Sequence, residues 1–153
     1  MATGAVIHPT DFSETAQAAE AQAIAMARML GAELVVLHVV VEGMLYGETP
    51  FGRAELERIY EAQREWAHRA VDERVTAARA TGVAVRGIVR AGVPAEEIVR
   101  TAEAEGAAMI VMGTHGRGGV QRLMLGSVAD RVLRTATCPI LVVRAAGAVA
   151  RAA

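Results

Sequence analysis

Apolar and polar positions change period several times along the chain, and each change marks a predicted element. Residues 5–8 form a short apolar run that meets Pro9 and read as a first strand. Residues 14–30 are alanine-rich and stop at Gly31, the pattern of a helix with a glycine C-cap. Its small face (Ala16, Ala19, Ala23, Ala27) suits close packing on a sheet. Residues 34–41 are almost wholly β-branched or leucine and read as a second strand, buried on both faces. Residues 42–52, with three glycines and a proline, read as a loop. Residues 53–81 alternate Arg and Glu with an apolar stripe (Leu56, Ile59, Tyr60, Ala67, Val71, Val75, Ala78), a long amphipathic helix ending at Gly82.

The same alternation continues to the end. Residues 83–90 read as a third strand, and Pro94 suits the first turn of a helix over 95–105. Residues 107–112 read as a fourth strand, 114–125 as a loop, 127–136 as a helix and 139–143 as a fifth strand. The tail, 146–153, is alanine-rich and expected to fray, leaving 1–145 as a single domain. Strands alternating with helices predict an α/β fold: a parallel sheet with helices on both faces. Ligands of such sheets bind beyond the carboxyl ends of the strands, where the strand order reverses. Polar residues gather after strand one (Pro9, Thr10, Asp11) and after strand four (Gly113 onward).

Composition narrows the function classes. The chain has 153 residues, long enough to bury a core without disulfides or metals. Aromatics are 3% against 53% hydrophobic residues, so the core is built from Ala, Val, Leu, Ile and Met. A net charge of −1 gives no field that favours nucleic acid or an anionic membrane, and neither is expected as a partner. No apolar run is long enough for a membrane span, and the first residues lack the pattern of a signal peptide. Cys138 is the only cysteine, which excludes an intramolecular disulfide. These features point to a cytoplasmic protein. All 16 basic residues are arginine, which excludes a P-loop lysine, a Schiff-base lysine and a Ser-Lys pair.

The candidate chemistry lies in 113–127. Gly113 and Gly116 are three apart, and after nine intervening residues comes Gly126-Ser127. Preceded by a strand and followed by a helix, such a loop suits phosphate: glycine lets backbone amides approach an anion, and a helix N-terminus adds unpaired N–H groups and a positive dipole end. Ser127 offers a hydroxyl and an amide there, or serves as a plain N-cap, or both; Val128 adds another amide. Arg117 has the guanidinium for a phosphate, with Arg122 a weaker candidate, and His115 reads as exposed. Asp11 has two readings. It caps a helix, with Glu14 three residues on as in a capping box, or it serves as a ligand for a sugar, a base or Mg²⁺.

Taken in order, these segments resemble the universal stress protein family over nearly the whole chain. The resemblance rests on Pro9-Thr10-Asp11-Phe12-Ser13, on Leu37-His38-Val39, on the segment from Gly92 through Pro94 to Ile98, and on Cys138-Pro139 leading into the last strand. The spacing Gly113-X2-Gly116-X9-Gly126-Ser127 fits that family's ATP-binding subclass without a gap. The resemblance implies a five-stranded parallel sheet of order 3-2-1-4-5, a crevice between strands one and four, and a homodimer paired through strand 139–143. It implies ATP with Mg²⁺ as the bound group and favours Asp11 as a ligand. Pro9 and Thr10 line the adenine end, and Val39, Val40 and Met112 form its apolar wall. Plain core packing is the simpler reading of Val40. The implied function is a small regulatory or signalling module of the stress response. The alternatives are a slow ATP hydrolase, or a binder of another adenine nucleotide such as AMP or cyclic AMP.

Other readings fit less well. Beyond Asp11 no general base is evident, and no carboxylates pair near the loop, so at most a slow ATPase is expected. A dinucleotide-binding dehydrogenase places Gly-X-Gly-X-X-Gly after strand one, where this chain has Pro9-Thr10-Asp11. A nucleotide-free scaffold conflicts with the intact glycine motif. His8, His38, His68 and His115 form no metal-binding pair, so no protein-built metal site is expected. His38 reads as a hydrogen-bonded core histidine and Cys138 as structural. Trp66, Tyr46 and Phe51 are too scattered for a base-stacking surface. Valine at both Gly113 and Gly126 is expected to abolish ATP binding and leave the fold.

Overall fold

Five parallel strands pair in the order β3-β2-β1-β4-β5. The structure is a computed structural model, and it describes residues 4–42, 50–115 and 125–145. In chain order the elements are β1 (Val6–Pro9), α1 (Glu14–Leu30), β2 (Leu34–Val41), α2 (Arg53–Arg79), β3 (Val85–Gly92), α3 (Pro94–Ala104), β4 (Met109–Gly113), α4 (Ser127–Thr135) and β5 (Ile140–Val143). The sequence-based alternation and the 3-2-1-4-5 order both hold.

Alternating side chains of the strands feed two cores. On one face Ile7, Val35, Leu37, Val39, Ile110 and Met112 pack with Ala95, Ile98 and Ala102 of α3 and Ala129 and Val132 of α4. On the other, Val6, Leu34, Val36, Val85 and Val111 pack with Ala23 and Ala27 of α1 and Val71, Val75 and Ala78 of α2. The alanines of α1 at 19, 23 and 27 are buried as expected, and their small size lets that helix lie close on the sheet. Each fully buried Val, Leu or Ile contributes roughly 1.5–3 kcal/mol.

Several boundaries move, for local reasons. α1 ends at Gly31 in the left-handed conformation (φ 59), as predicted. β3 starts two residues later than expected, because its register with β2 opens at Leu34↔Val85. It runs on through Gly92, whose φ of 145 suits glycine. β4 likewise starts later, because the Ala107 amide closes the end of α3 on Ala102 at 2.9 Å. α2 stops at Arg79, and Thr81 and Gly82 turn back on its last carbonyls.

The stripe on α2 is buried only in its second half. Ala67, Val71, Val75 and Ala78 are buried, Leu56 and Tyr60 are half-buried, and Ile59 is exposed. Length explains this. A helix of 27 residues spans about 40 Å, whereas the 8 residues of β2 span about 26 Å. The first half of α2 therefore overhangs the carboxyl end of the sheet. β2 in turn outruns β1: its pairing with β1 ends at Leu37, whereas its pairing with β3 continues to Val41. Val41 is consequently exposed, so β2 is not buried on both faces along its whole length. These two overhangs build the walls of a cleft.

Candidate functional site

A cleft of about 980 Å³ opens at the carboxyl ends of β1 and β4 and straddles the end of the sheet. On the α3/α4 face its wall is apolar: Leu37, Val39, Ile98, Met112, Val128 and Ala129. On the α1/α2 face it is formed by His38, Val40, Gln63 and Trp66. Pro9, Thr10 and Asp11 border it from β1, Gly113, Thr114 and His115 from β4, and Gly126 and Ser127 from the start of α4. The structure thus brings together Pro9, Thr10, Asp11, Val39, Met112, Gly113, Gly126, Ser127 and Val128, which the sequence had placed at one site. Val40 joins them while remaining a buried residue. Gly116, Arg117 and Arg122 lie outside the described residues, as do 43–49 of the predicted loop.

The turn after β1 is tied from several sides. The Thr10 amide donates to the Leu37 carbonyl at 2.8 Å. The Phe12 amide donates to Thr10 Oγ1, and the Ser13 amide to Asp11 Oδ1, each at 3.0 Å. The cap of α1 is Ser13, whose Oγ accepts from the Ala16 amide at 3.2 Å; such a cap contributes about 1 kcal/mol. Of the two readings of Asp11, the capping box with Glu14 does not form. The carboxylate of Asp11 folds into an Asx turn two residues before the cap and borders the cleft. Among the described residues Phe12 is the non-glycine with positive φ, 64°, a conformation that costs roughly 1–2 kcal/mol. Its ring centroid lies 4.8 Å from that of His38 and 5.3 Å from that of Trp66.

α4 starts differently. Its N-cap is Gly126, and no side chain among the described residues caps it. Ser127 is therefore the first residue of the helix, not its N-cap. The amides of a helix's first turn have no intrahelical partner, and here Ser127, Val128 and Ala129 border the cleft with them. The helix dipole adds a partial positive charge at that end. An anion in the cleft would meet donors from α4 and, across the crevice, the carboxylate of Asp11.

The described glycines answer to packing as well. A Cβ on Gly113 would lie 2.6 Å from Thr15 Cγ2 and 3.1 Å from the Thr15 backbone, because α1 crosses there. A Cβ on Gly126 would lie 2.9 Å from the Thr114 carbonyl oxygen, which accepts from the Gly126 amide at 2.7 Å. Valine at both positions thus strikes backbone, so the fold would not be left intact, contrary to the sequence-based expectation.

Histidines and the tryptophan carry what the sequence reading missed. His38 Nδ1 lies 2.7 Å from the Thr10 carbonyl oxygen; a carbonyl only accepts, so Nδ1 carries the proton. His38 is hydrogen-bonded as predicted, yet half-buried in the cleft wall. His115 is half-buried, not exposed; its Nδ1 is 2.9 Å from Thr114 Oγ1, and its Nε2 is buried with no hydrogen-bond partner among the described residues. His8 is fully buried under α1, donates from Nδ1 to the Val111 carbonyl at 3.0 Å, and leaves Nε2 without a hydrogen-bond partner among the described residues. Burial lowers its pKa to about 4, against smaller upward pulls from that hydrogen bond and from Asp11. Trp66, 43% exposed, reaches the cleft from the overhang of α2. No local signal in the sequence marks it, because it reaches the cleft only through the length of α2. Cys138 packs on the α3/α4-side core, and burial raises its thiol pKa. No group of three His, Cys, Asp or Glu suited to a metal occurs among the described residues.

The model of the universal stress protein family matches residues 4–144. The chain belongs to the universal stress protein family. Universal stress protein MJ0531 of Methanocaldococcus jannaschii is 39% identical over 139 residues, covering 91% of this chain and 81% of that protein. Universal stress protein UspA from Lactobacillus plantarum superposes with a TM-score of 0.82 at 25% identity, covering 94% of this chain and 99% of that one. The family member from Archaeoglobus fulgidus solved in complex with dAMP shares the fold, with a TM-score of 0.63 at 24% identity over 92% of this chain and 97% of that one. No described helix is long and apolar enough to cross a membrane.

Proposed function

We propose that the cleft binds ATP with Mg²⁺ and that the chain acts as a nucleotide-responsive regulatory module of the stress response. The observation that carries this reading is the pairing of the α4 N-terminus, uncapped by any described side chain, with Asp11 across one cleft. The α4 amides of Ser127 and Val128 take the phosphates, and the apolar wall of Val39 and Met112 takes the adenine beside Pro9 and Thr10. Asp11 takes the ribose, or the Mg²⁺ that accompanies the phosphates. One carboxylate with substrate phosphates and water is a donor set Mg²⁺ uses, and among the described residues the acidic side chain at this cleft is Asp11. Gly116 and Arg117 complete the phosphate loop.

ATP is held in this account, not rapidly turned over: the described cleft presents no lysine and no second carboxylate as base. The relative solved with dAMP supports an adenine monophosphate as the second ligand reading. We further propose a homodimer through β5, whose four residues are apolar, half-buried and at a sheet edge. Extracting the purified protein and identifying the released nucleotide by mass tests the ligand. ATP is the expected product. Recovery of AMP or cyclic AMP transfers the site to that nucleotide, and absence of any adenine nucleotide, with no heat on titrating ATP and MgCl2, overturns the reading.

A further inference from the structure

We propose that Phe12 is a positioning residue for this site: its ring, packed against His38 and Trp66, holds the Thr10–Ser13 turn in the conformation that presents Asp11 to the ligand. The inference rests on the nucleotide reading above. Phe12 stands at φ 64, where glycine or asparagine would be at ease. A bulky residue persists there only when its surroundings over-determine it. Those surroundings are visible. The ring lies tilted on His38 and edge-on to Trp66, at an interplanar angle of 86°. His38 also holds the turn directly, through the Thr10 carbonyl.

Phe12 is not among the described residues that border the cleft. It packs against the α1/α2-side core while its neighbour Asp11 faces the ligand. Its influence must therefore pass through the turn. Trp66 comes from the overhanging half of α2, so the clasp couples that helix to the position of Asp11. A ring that merely filled the core would not need a left-handed backbone. The conflict between residue type and conformation falls one residue from the carboxylate that faces the cleft, and such local conflicts gather at functional sites.

The test is a calorimetric titration of ATP with MgCl2 into the wild-type chain, Phe12→Gly, Asp11→Ala and the double variant. Phe12→Gly keeps the positive φ without strain and removes the ring together with Cβ, which also frees the backbone; Phe12→Leu removes the ring and keeps the backbone restricted. Expected is a loss of about tenfold in affinity for Phe12→Gly, and less than about twofold further loss when it is added to Asp11→Ala, since residues acting through one another are not additive. Phe12→Tyr, which keeps the ring, is expected to restore binding to within about twofold. Wild-type affinity in Phe12→Gly, or the same loss with and without Asp11, overturns the inference while leaving the nucleotide reading intact. Unchanged binding by Asp11→Ala likewise overturns the inference, whereas no binding by the wild type overturns the nucleotide reading instead. If Phe12→Gly does not fold by circular dichroism, Phe12→Leu carries the same comparison.

Discussion

The Nδ1–H of His38 donates to the carbonyl oxygen of Thr10 across 2.7 Å. This bond joins the overhang of β2 to the turn after β1, the two segments that frame one side of the cleft. His38→Phe keeps a ring of similar shape and removes the donor. Loss of one half-buried hydrogen bond is expected to cost about 1 kcal/mol. Urea denaturation of the two proteins measures it, and equal midpoints at equal slopes would show that the bond contributes nothing.

Burial of neutral His8 makes stability depend on pH. Its folded pKa of about 4 lies below the ordinary histidine value of 6.5, so the unfolded chain binds the proton first on acidification. The stabilisation is complete above pH 6.5 and is lost as pH falls toward 4. Between pH 7.5 and 5 the loss from this group is about 2 kcal/mol. In His8→Leu that part of the pH dependence should vanish, whatever the variant's absolute stability. Denaturation at both pH values compares the two differences, and equal differences would remove His8 as the cause.

Gly113 is required by the crossing of α1. Gly113→Ala places a methyl against Thr15 and is expected to cost about 1–3 kcal/mol, the range for overpacking a close-packed core. Thr15→Ala in the same chain removes the nearest atom, Cγ2 at 2.6 Å, while backbone atoms at 3.1 Å remain. Partial rescue in thermal melts is therefore the expected result. Full additivity of the two substitutions would place the strain elsewhere.

The proposed dimer depends on the free edge of β5. Pro139 and Val143 offer their carbonyls to β4. Strand alternation then turns the backbone groups of Ile140 and Val142 to the open edge. Val142→Pro deletes an outward N–H and spares the β4 ladder. Sedimentation should show a dimer for the wild type and a monomer for the variant. A monomeric wild type, or a variant that still dimerises, contradicts pairing through this edge.

Much of the fold was legible because long periodic segments carry redundant signals. α1 and β2 fall on their predicted boundaries, where an alanine face ending at Gly31 and an unbroken β-branched run leave little choice. β3 and β4 start two residues late because register and helix closure decide their first residues, and neither is a local property. Which residue caps α1 was not legible for a related reason. Asp11 and Ser13 both carry capping side chains, and only the left-handed Phe12 between them settles which one reaches the Ala16 amide.

The candidate site divides in the same way. Pro9–Asp11 and Gly126–Val128 follow strands or begin a helix, so their place at the carboxyl ends could be read from order alone. Trp66 could not, because it reaches the cleft only through the length by which α2 outruns the sheet. Nor could the packing role of Gly113, since its neighbour Thr15 is remote in sequence and close only once α1 lies across β4.

The central claim is that the α4 N-terminus and Asp11 hold an adenine nucleotide between them. Amide NMR of the labelled chain during titration with ATP and MgCl2 tests it most directly. The account predicts saturable shifts of the Ser127 and Val128 amides together with those of Thr10 and Asp11, and unmoved amides at Glu33 and Glu105, which ion-pair with Arg86 and lie outside the cleft. Saturation with ATP while Ser127, Val128 and Asp11 stay unmoved would contradict it.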